Sequence, residues 1–311
     1  MCLPALRDLR AAYPDALVTV AARAPVAPLF AMLPDPPDIV TITRGGDAAR
    51  QIRAGAFDAG LLLPNAFGAA WTLWRAGVPE RWGYATDLRR PLLTRAVRPP
   101  SSCHQVRYYQ HLTTSLGCEA GAPEPRLVVT DATRAEAAAL LRGAGWQGEP
   151  LVAIAPGAAF GGAKRWPAAS FAATLVALSA DGVRAVLVGS AADAAASFEV
   201  LACAGAASRA PIDLTGQTTL AQLAGVLTLC QAVVSNDSGA MHVAAALGLP
   251  VTAIFGPTNA DETAPRGSRA ATVLHGTAWC RPCMLRECPL TQQCMRQVSP
   301  DQVVASVRSQ S

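Results

Sequence analysis

Lysine is almost missing from this 311-residue chain: of its 26 basic side chains, all but Lys164 are Arg. Substitution bias produces that where either cation serves, so the one Lys kept marks a position that needs a compact ammonium on a flexible stem. Histidine is scarce as well, with four residues (His104, His111, His242, His275), none beside a nucleophile motif, which disfavours Ser-His-Asp hydrolysis. Charged residues make up 15% against the usual share of about 25%. No apolar stretch reaches the roughly 18 residues of a spanning helix without interruption by Arg, Asp, Gly or Pro, and no basic-then-apolar leader opens the chain. The Walker spacing and the GxGxxG fingerprint are both missing, which counts against P-loop nucleotidase and dehydrogenase chemistry. The nine cysteines are an odd number in a long chain, which points to reduced thiols and a cytoplasmic setting. A net charge of +4 without a basic block suits an anionic small molecule or an anionic membrane surface and argues against nucleic acid.

What is present is a strand–helix alternation. Strands are predicted at 16–21, 39–42, 57–63 and 81–84, and helices at 25–32, 48–54, 67–76 and 104–116. The pattern Thr133-Arg134-Ala135-Glu136 reads as a capping box opening a short helix. Gly and Pro cluster at 117–125 and at 143–150, and the boundary is placed at the second cluster, giving domains 1–147 and 148–311. The rhythm then restarts, with strands at 151–155, 185–188, 212–214, 232–234, 251–255 and 272–274 and helices between them. This is an α/β chain of two doubly wound domains, whose ligands are expected beyond the carboxyl ends of parallel strands.

Two segments fit that position. From Pro156-Gly157-Ala158 to Lys164-Arg165-Trp166-Pro167 the chain leaves a strand, crosses small residues and meets Lys164 before a helix, a layout that lets backbone amides and an ammonium cradle phosphate. A plain tight turn also accounts for such a loop. In the second, Ser235-Asn236-Asp237-Ser238-Gly239, polar residues follow an apolar strand and precede a helix, where Asp237 can accept sugar hydroxyls or Asp237 or Ser235 can cap the helix. Phe255-Gly256-Pro257-Thr258 lies on the same rim. Cys280, Cys283, Cys288 and Cys294 are close in sequence but lack zinc-ribbon spacing, and no metal is assigned to them.

Together these segments resemble the lipopolysaccharide heptosyltransferases of glycosyltransferase family 9, with support from Leu63-Pro64-Asn65-Ala66-Phe67, Ala76-Gly77-Val78-Pro79-Glu80-Arg81, His104 to Tyr109 and the late Cys-rich loop at 280–294, ahead of a terminal helix. The resemblance implies a GT-B architecture of two Rossmann-like domains, acceptor on the first and nucleotide sugar on the second. It implies inverting transfer of heptose from ADP-L-glycero-D-manno-heptose to the inner-core heptose of lipopolysaccharide, with no cofactor, at the cytoplasmic face of the inner membrane. Lys164 would then contact the diphosphate and Asp237 the heptose, with Pro156, Gly157, Ala158, Ser238, Gly239 and Thr258 completing the donor site. A phosphorylated acceptor would be met by Asn65, Arg81, Arg89, Arg90 and Arg107. In the family a first strand and a Gly-Asp turn, whose Asp is the base, precede the segment matching Met1 to Leu6; the chain as given is expected to bind donor but transfer poorly. The alternatives are a heptosyltransferase III-like enzyme, a nucleotide-sugar epimerase, or a catalytically silent ADP-sugar-binding homologue.

Overall fold

The computed structural model describes residues 1–43, 46–205 and 209–310. It divides into two compact units, Met1–Pro125 and Arg126–Ser311. The division falls at the first Gly/Pro cluster, earlier than the 147/148 boundary expected from the sequence. The reason lies in helix 131–143, which packs against a helix of the second unit.

Unit 1 runs α1 (Leu3–Ala12), β1 (Thr19–Arg23), α2 (Ala27–Ala31), β2 (Asp38–Ile42), α3 (Gly46–Ala54), β3 (Ala59–Leu62), α4 (Phe67–Ala76), β4 (Glu80–Tyr84), a 3₁₀ turn at Arg90–Leu92, β5 (Arg95–Val97) and α5 (Gln105–Thr114). All its strand pairs are parallel, in two sheets, β1-β2 and β3-β4-β5. α4 ends at Gly77, whose φ of 80° supplies the left-handed residue that a helix terminus favours. α5 starts at His104, whose side chain accepts from the Val106 amide. Asp8 on α1 is buried and held by Arg7 at 3.1 Å and by Gln110 at 2.7 Å, so it braces α1 against α5.

Unit 2 runs α6 (Asp131–Gly143), β6 (Leu151–Ala155), α7 (Ala168–Ala180), β7 (Arg184–Leu187), α8 (Ala194–Ala204), β8 (Ile212–Asp213), α9 (Leu220–Leu227), β9 (Ala232–Asn236), α10 (Gly239–Ala246), β10 (Val251–Phe255), α11 (Ala260–Thr263), β11 (Thr272–His275), α12 (Gln293–Arg296) and α13 (Pro300–Gln310). Its six strands form one parallel sheet in the order β11-β10-β9-β6-β7-β8. Every residue of β6, β9 and β10 is buried, as expected of central strands covered on both faces. Trp166, Phe171, Leu175 and Leu178 fill one side with Val303 and Val307 of α13. Among the described residues no helix is long and apolar enough to cross a membrane.

The cap of α6 differs from expectation. Thr130, three residues before the predicted box, is the N-cap, and its hydroxyl accepts from the Thr133 amide at 3.2 Å. α6 then crosses α9 at Gly225, where an added Cβ would lie 2.8 Å from the Ala137 Cβ and 2.9 Å from the Thr133 carbonyl oxygen. Only hydrogen fits in that space. Gly225→Leu is therefore expected to prise α6 from α9 and lower unfolding free energy by about 1–3 kcal/mol, measured by chemical denaturation.

Candidate functional site

The strand order of unit 2 reverses direction between β6 and β9, its first and fourth strands, and such a switch point opens a crevice at the carboxyl ends. The register sets what meets there. Ala155 lies opposite Ser235, so Pro156 and Asn236 leave the sheet side by side. The Asn236 amide, wholly buried, donates to the Pro156 carbonyl at 2.7 Å, and its oxygen accepts from the Trp166 amide at 3.0 Å. One side chain thus closes the 156–166 loop at both ends. Trp166 anchors the far end, its indole donating to the Val298 carbonyl at 3.0 Å and packing edge-on to Phe171.

Inside this loop the Gly162–Lys164 turn aims Lys164 at Asp237, with Nζ 2.5 Å from Oδ2. Thr258, following β10, donates to the same oxygen at 2.7 Å. Loops from three adjacent strands therefore converge on one carboxylate. The pair is largely shielded, with side chains 11% and 6% exposed, and the Lys164 ammonium lies 4.7 Å from the centre of the Phe160 ring. Asp237 is consequently engaged with Lys164 and Thr258. α10 is capped by Ser238, without a side-chain cap bond, and the Ser235 and Ser238 hydroxyls lie 2.9 Å apart. Pro156, Gly157, Ala158 and Thr258 are buried around the pair's loops, and Gly239 is exposed at the start of α10. At Gly157 a Cβ would fall 2.1 Å from the Asp193 carboxylate, so any side chain there would push Asp193 off its bonds to Ser190.

The Cys-rich segment braces the same turn. Ala163 donates from its amide to the Arg286 carbonyl at 2.9 Å, Gly162 to the Glu287 carboxylate at 2.9 Å, and Gln292 donates to the Gly162 carbonyl at 2.8 Å. Cys280, Cys283, Cys288 and Cys294 line one cavity of ≈180 Å³ beside it. Burial, together with the three neighbouring thiols, pushes the Cys294 thiol above its ordinary range. Among the described residues no three His, Cys, Asp or Glu are arranged to hold a metal ion.

In unit 1 the expected acceptor residues separate into two groups. Arg89 is completely buried, donating to the Tyr84 carbonyl at 2.8 Å and to the Pro64 carbonyl. Arg81 donates to the carbonyls of Leu92, Val78 and Pro79 at 2.6–2.9 Å. Arg89 is an internal brace with no surface to present, which corrects its expected role, and Arg81 is half-buried and occupied in the same way. Arg90, Arg107 and Asn65 are exposed. Asn65 donates to the Tyr108 hydroxyl at 2.8 Å, and Arg107 lines a shallow ≈280 Å³ depression with Cys103, Gln110 and His111.

The profile of glycosyltransferase family 9 (heptosyltransferase) matches residues 46–293, across both the Lys164 loop and the Asp237 turn. The chain belongs to that family. Salmonella typhimurium lipopolysaccharide heptosyltransferase 2 is 32% identical over 284 residues, covering 86% of this chain and 82% of its own length. The Escherichia coli K12 protein of the same name is 32% identical over 286 residues, with the same coverage. The solved E. coli ADP-heptose lps heptosyltransferase II superposes with a TM-score of 0.85 at 28% identity, over 99% of this chain and 93% of that one. E. coli heptosyltransferase WaaC with ADP shares the fold, at a TM-score of 0.74 and 17% identity, over 100% of this chain and 95% of that one. This family 9 member is accordingly a glycosyltransferase, an α/β protein of the GT-B class.

Sequence reasoning named Asn236 only as part of a motif and did not use Phe160, Glu287 or Gln292. A strand-end Asn followed by Asp was the available signal for Asn236; Glu287 and Gln292 are set by contacts 125 and 130 residues away, and Phe160 by the Lys164 ammonium over its ring. Removing one partner of a shielded ion pair strands the other, so Asp237→Ala should lower stability by about 3 kcal/mol by chemical denaturation.

Proposed function

We propose that the chain is an inverting heptosyltransferase that moves an L-glycero-D-manno-heptosyl group from its ADP-activated donor to a heptose of the lipopolysaccharide inner core. The observation that carries this reading is the meeting of Lys164, Asp237 and Thr258 at the switch point of unit 2, in a chain that aligns over most of its length with proteins named heptosyltransferase 2.

As the glycosidic bond to the diphosphate breaks, negative charge builds on the departing phosphate. Lys164 has three N–H donors and uses one on Asp237. The remaining two can meet phosphate oxygens without the ion pair being given up, in a shielded setting where each contact is strengthened. The first turn of α10 carries no acid and adds amides of the same polarity. Both bonds to Asp237 fall on Oδ2, which leaves Oδ1 for a sugar hydroxyl and fixes its direction. Lys164 thus holds the leaving group while Asp237 orients the sugar, a division of labour that raises the rate by stabilising charge present only as the bond breaks.

The acceptor is assigned to unit 1, with Asn65, Arg90 and Arg107 as the groups able to meet its phosphates. An acceptor anchored in lipid places the reaction at the cytoplasmic face of the inner membrane.

Lys164→Met should weaken ADP binding about 10- to 100-fold, the loss of one charge-assisted contact of about 1.5–3 kcal/mol. Titration calorimetry on the folded variant tests this, and unchanged affinity would remove Lys164 from the donor site. The double variant Arg90→Ala, Arg107→Ala should slow transfer to a phosphorylated acceptor about fivefold at low salt and less at high salt. Equal rates at all salt concentrations would end that assignment. Transfer from ADP-heptose, set against UDP-sugars, to heptose-deficient core tests the reading as a whole.

A further inference from the structure

α4 buries one side and leaves aromatic rings on the other. Ala70 and Ala76 are buried, and Leu73 packs with Ile42 and Phe57 beside the Ala49–Ile52 cluster. Phe67, Trp71 and Trp74, at the i, i+4 and i+7 positions, share the opposite stripe. They are 41%, 41% and 48% exposed. Their rings stack on one another, Trp71 on Trp74 at 4.8 Å and Phe67 on Trp71 at 6.2 Å. Leu88, 92% exposed, follows Asp87, whose carboxylate accepts from the Phe67 amide at the start of the helix. Three large rings on three turns of one helix form an apolar strip that water solvates at a cost.

Apart from Asp87, the charges named around the strip are arginines. α4 contains Arg75 and no acid. Arg53 donates to the Arg75 and Ala76 carbonyls at its end, and exposed Arg90 lies on the 3₁₀ turn that packs against it. Asp87 is already engaged by the Phe67 amide. A second copy of the chain meeting this face by two-fold symmetry would bring Arg75 towards its own equivalent. An anionic bilayer instead offers phosphates to the arginines and a headgroup layer to the indoles, whose apolar bodies and N–H groups suit that depth.

We propose that the Phe67–Trp71–Trp74 face of α4 is the surface with which the protein lies on an anionic bilayer, the rings entering the headgroup region and Arg53 and Arg75 meeting lipid phosphates. This deepens the proposed function and rests on it for the presence of a bilayer at the site of reaction. Contact of this kind is superficial and reversible, its strength set by buried ring area plus attraction to anionic lipid.

The test is co-sedimentation of the full chain with phosphatidylcholine vesicles, with and without phosphatidylglycerol. The wild type should partition onto the phosphatidylglycerol vesicles and leave them as salt rises. Trp71→Ser, Trp74→Ser should lose about tenfold or more in partitioning while keeping wild-type ADP affinity, and Arg75→Glu should lose binding with both indoles in place. Transfer to acceptor embedded in vesicles should fall in both variants, with transfer to a deacylated, water-soluble acceptor unchanged. Wild-type partitioning in the double Trp variant, no partitioning of the wild type, or a wild-type dimer that the Trp variant dissociates would each overturn the inference. Ring-dependent partitioning without transfer to any acceptor would support this surface and overturn the heptosyl-transfer reading instead.

Discussion

The contact between Lys164 and Asp237 is the point on which the geometry of unit 2 depends. Two charges withdrawn from water carry a desolvation penalty that their attraction offsets only in good geometry, and here the geometry is fixed from three directions. The pairing of β6 with β9 puts the two loops side by side, Asn236 closes one of them, and Thr258 steadies the carboxylate from β10. The Cys-rich segment holds the turn that carries Lys164 through three hydrogen bonds. A flexible ammonium stem is thereby held in one place, with little ordering left to be done there.

Unit 1 uses its cations differently. The carboxyl ends of parallel strands leave carbonyl groups that need donors once the ladder stops. Arg89 reaches into that gap and donates to the carbonyls of Pro64 and Tyr84, while Arg81 serves the carbonyls of Val78, Pro79 and Leu92, in the segments that lead into β4 and β5. The planar guanidinium, with five donors, serves several such carbonyls at once, which a Lys cannot do. Burial disfavours the charged form of Arg89, against the opposing pull of Tyr108 and Asp87; two of its nitrogens reach carbonyls, and the third, Nη2, is buried without a hydrogen-bond partner. Arg90, the next residue after Arg89, remains in water.

The sequence alone determined the α/β alternation, most of the strand positions, the family, and the two segments that meet at the switch point of unit 2, because period, turn chemistry and small-residue spacing are local properties. β6 and β10 were placed to the residue, since a short apolar run bounded by turn residues has few other readings. Tertiary structure decided the rest. The boundary at Pro125 rather than at 147 follows from a single close crossing of α6 on α9, a contact between residues about 90 apart that no local pattern carries. The cap of α6 lies at Thr130 because either of two Thr residues, Thr130 and Thr133, can cap by its local chemistry, and where the helix starts is decided by its packing on α9. Asp237 was legible as a polar residue at a strand end, but its being bound to the only Lys in the chain was not, for that depends on the register of two strands 80 residues apart. Whether an arginine faces solvent or backbone carbonyls is likewise written in how the loops fold over it: Arg89 and Arg90 are the same residue type in sequence, and only packing buried the first and left the second in water.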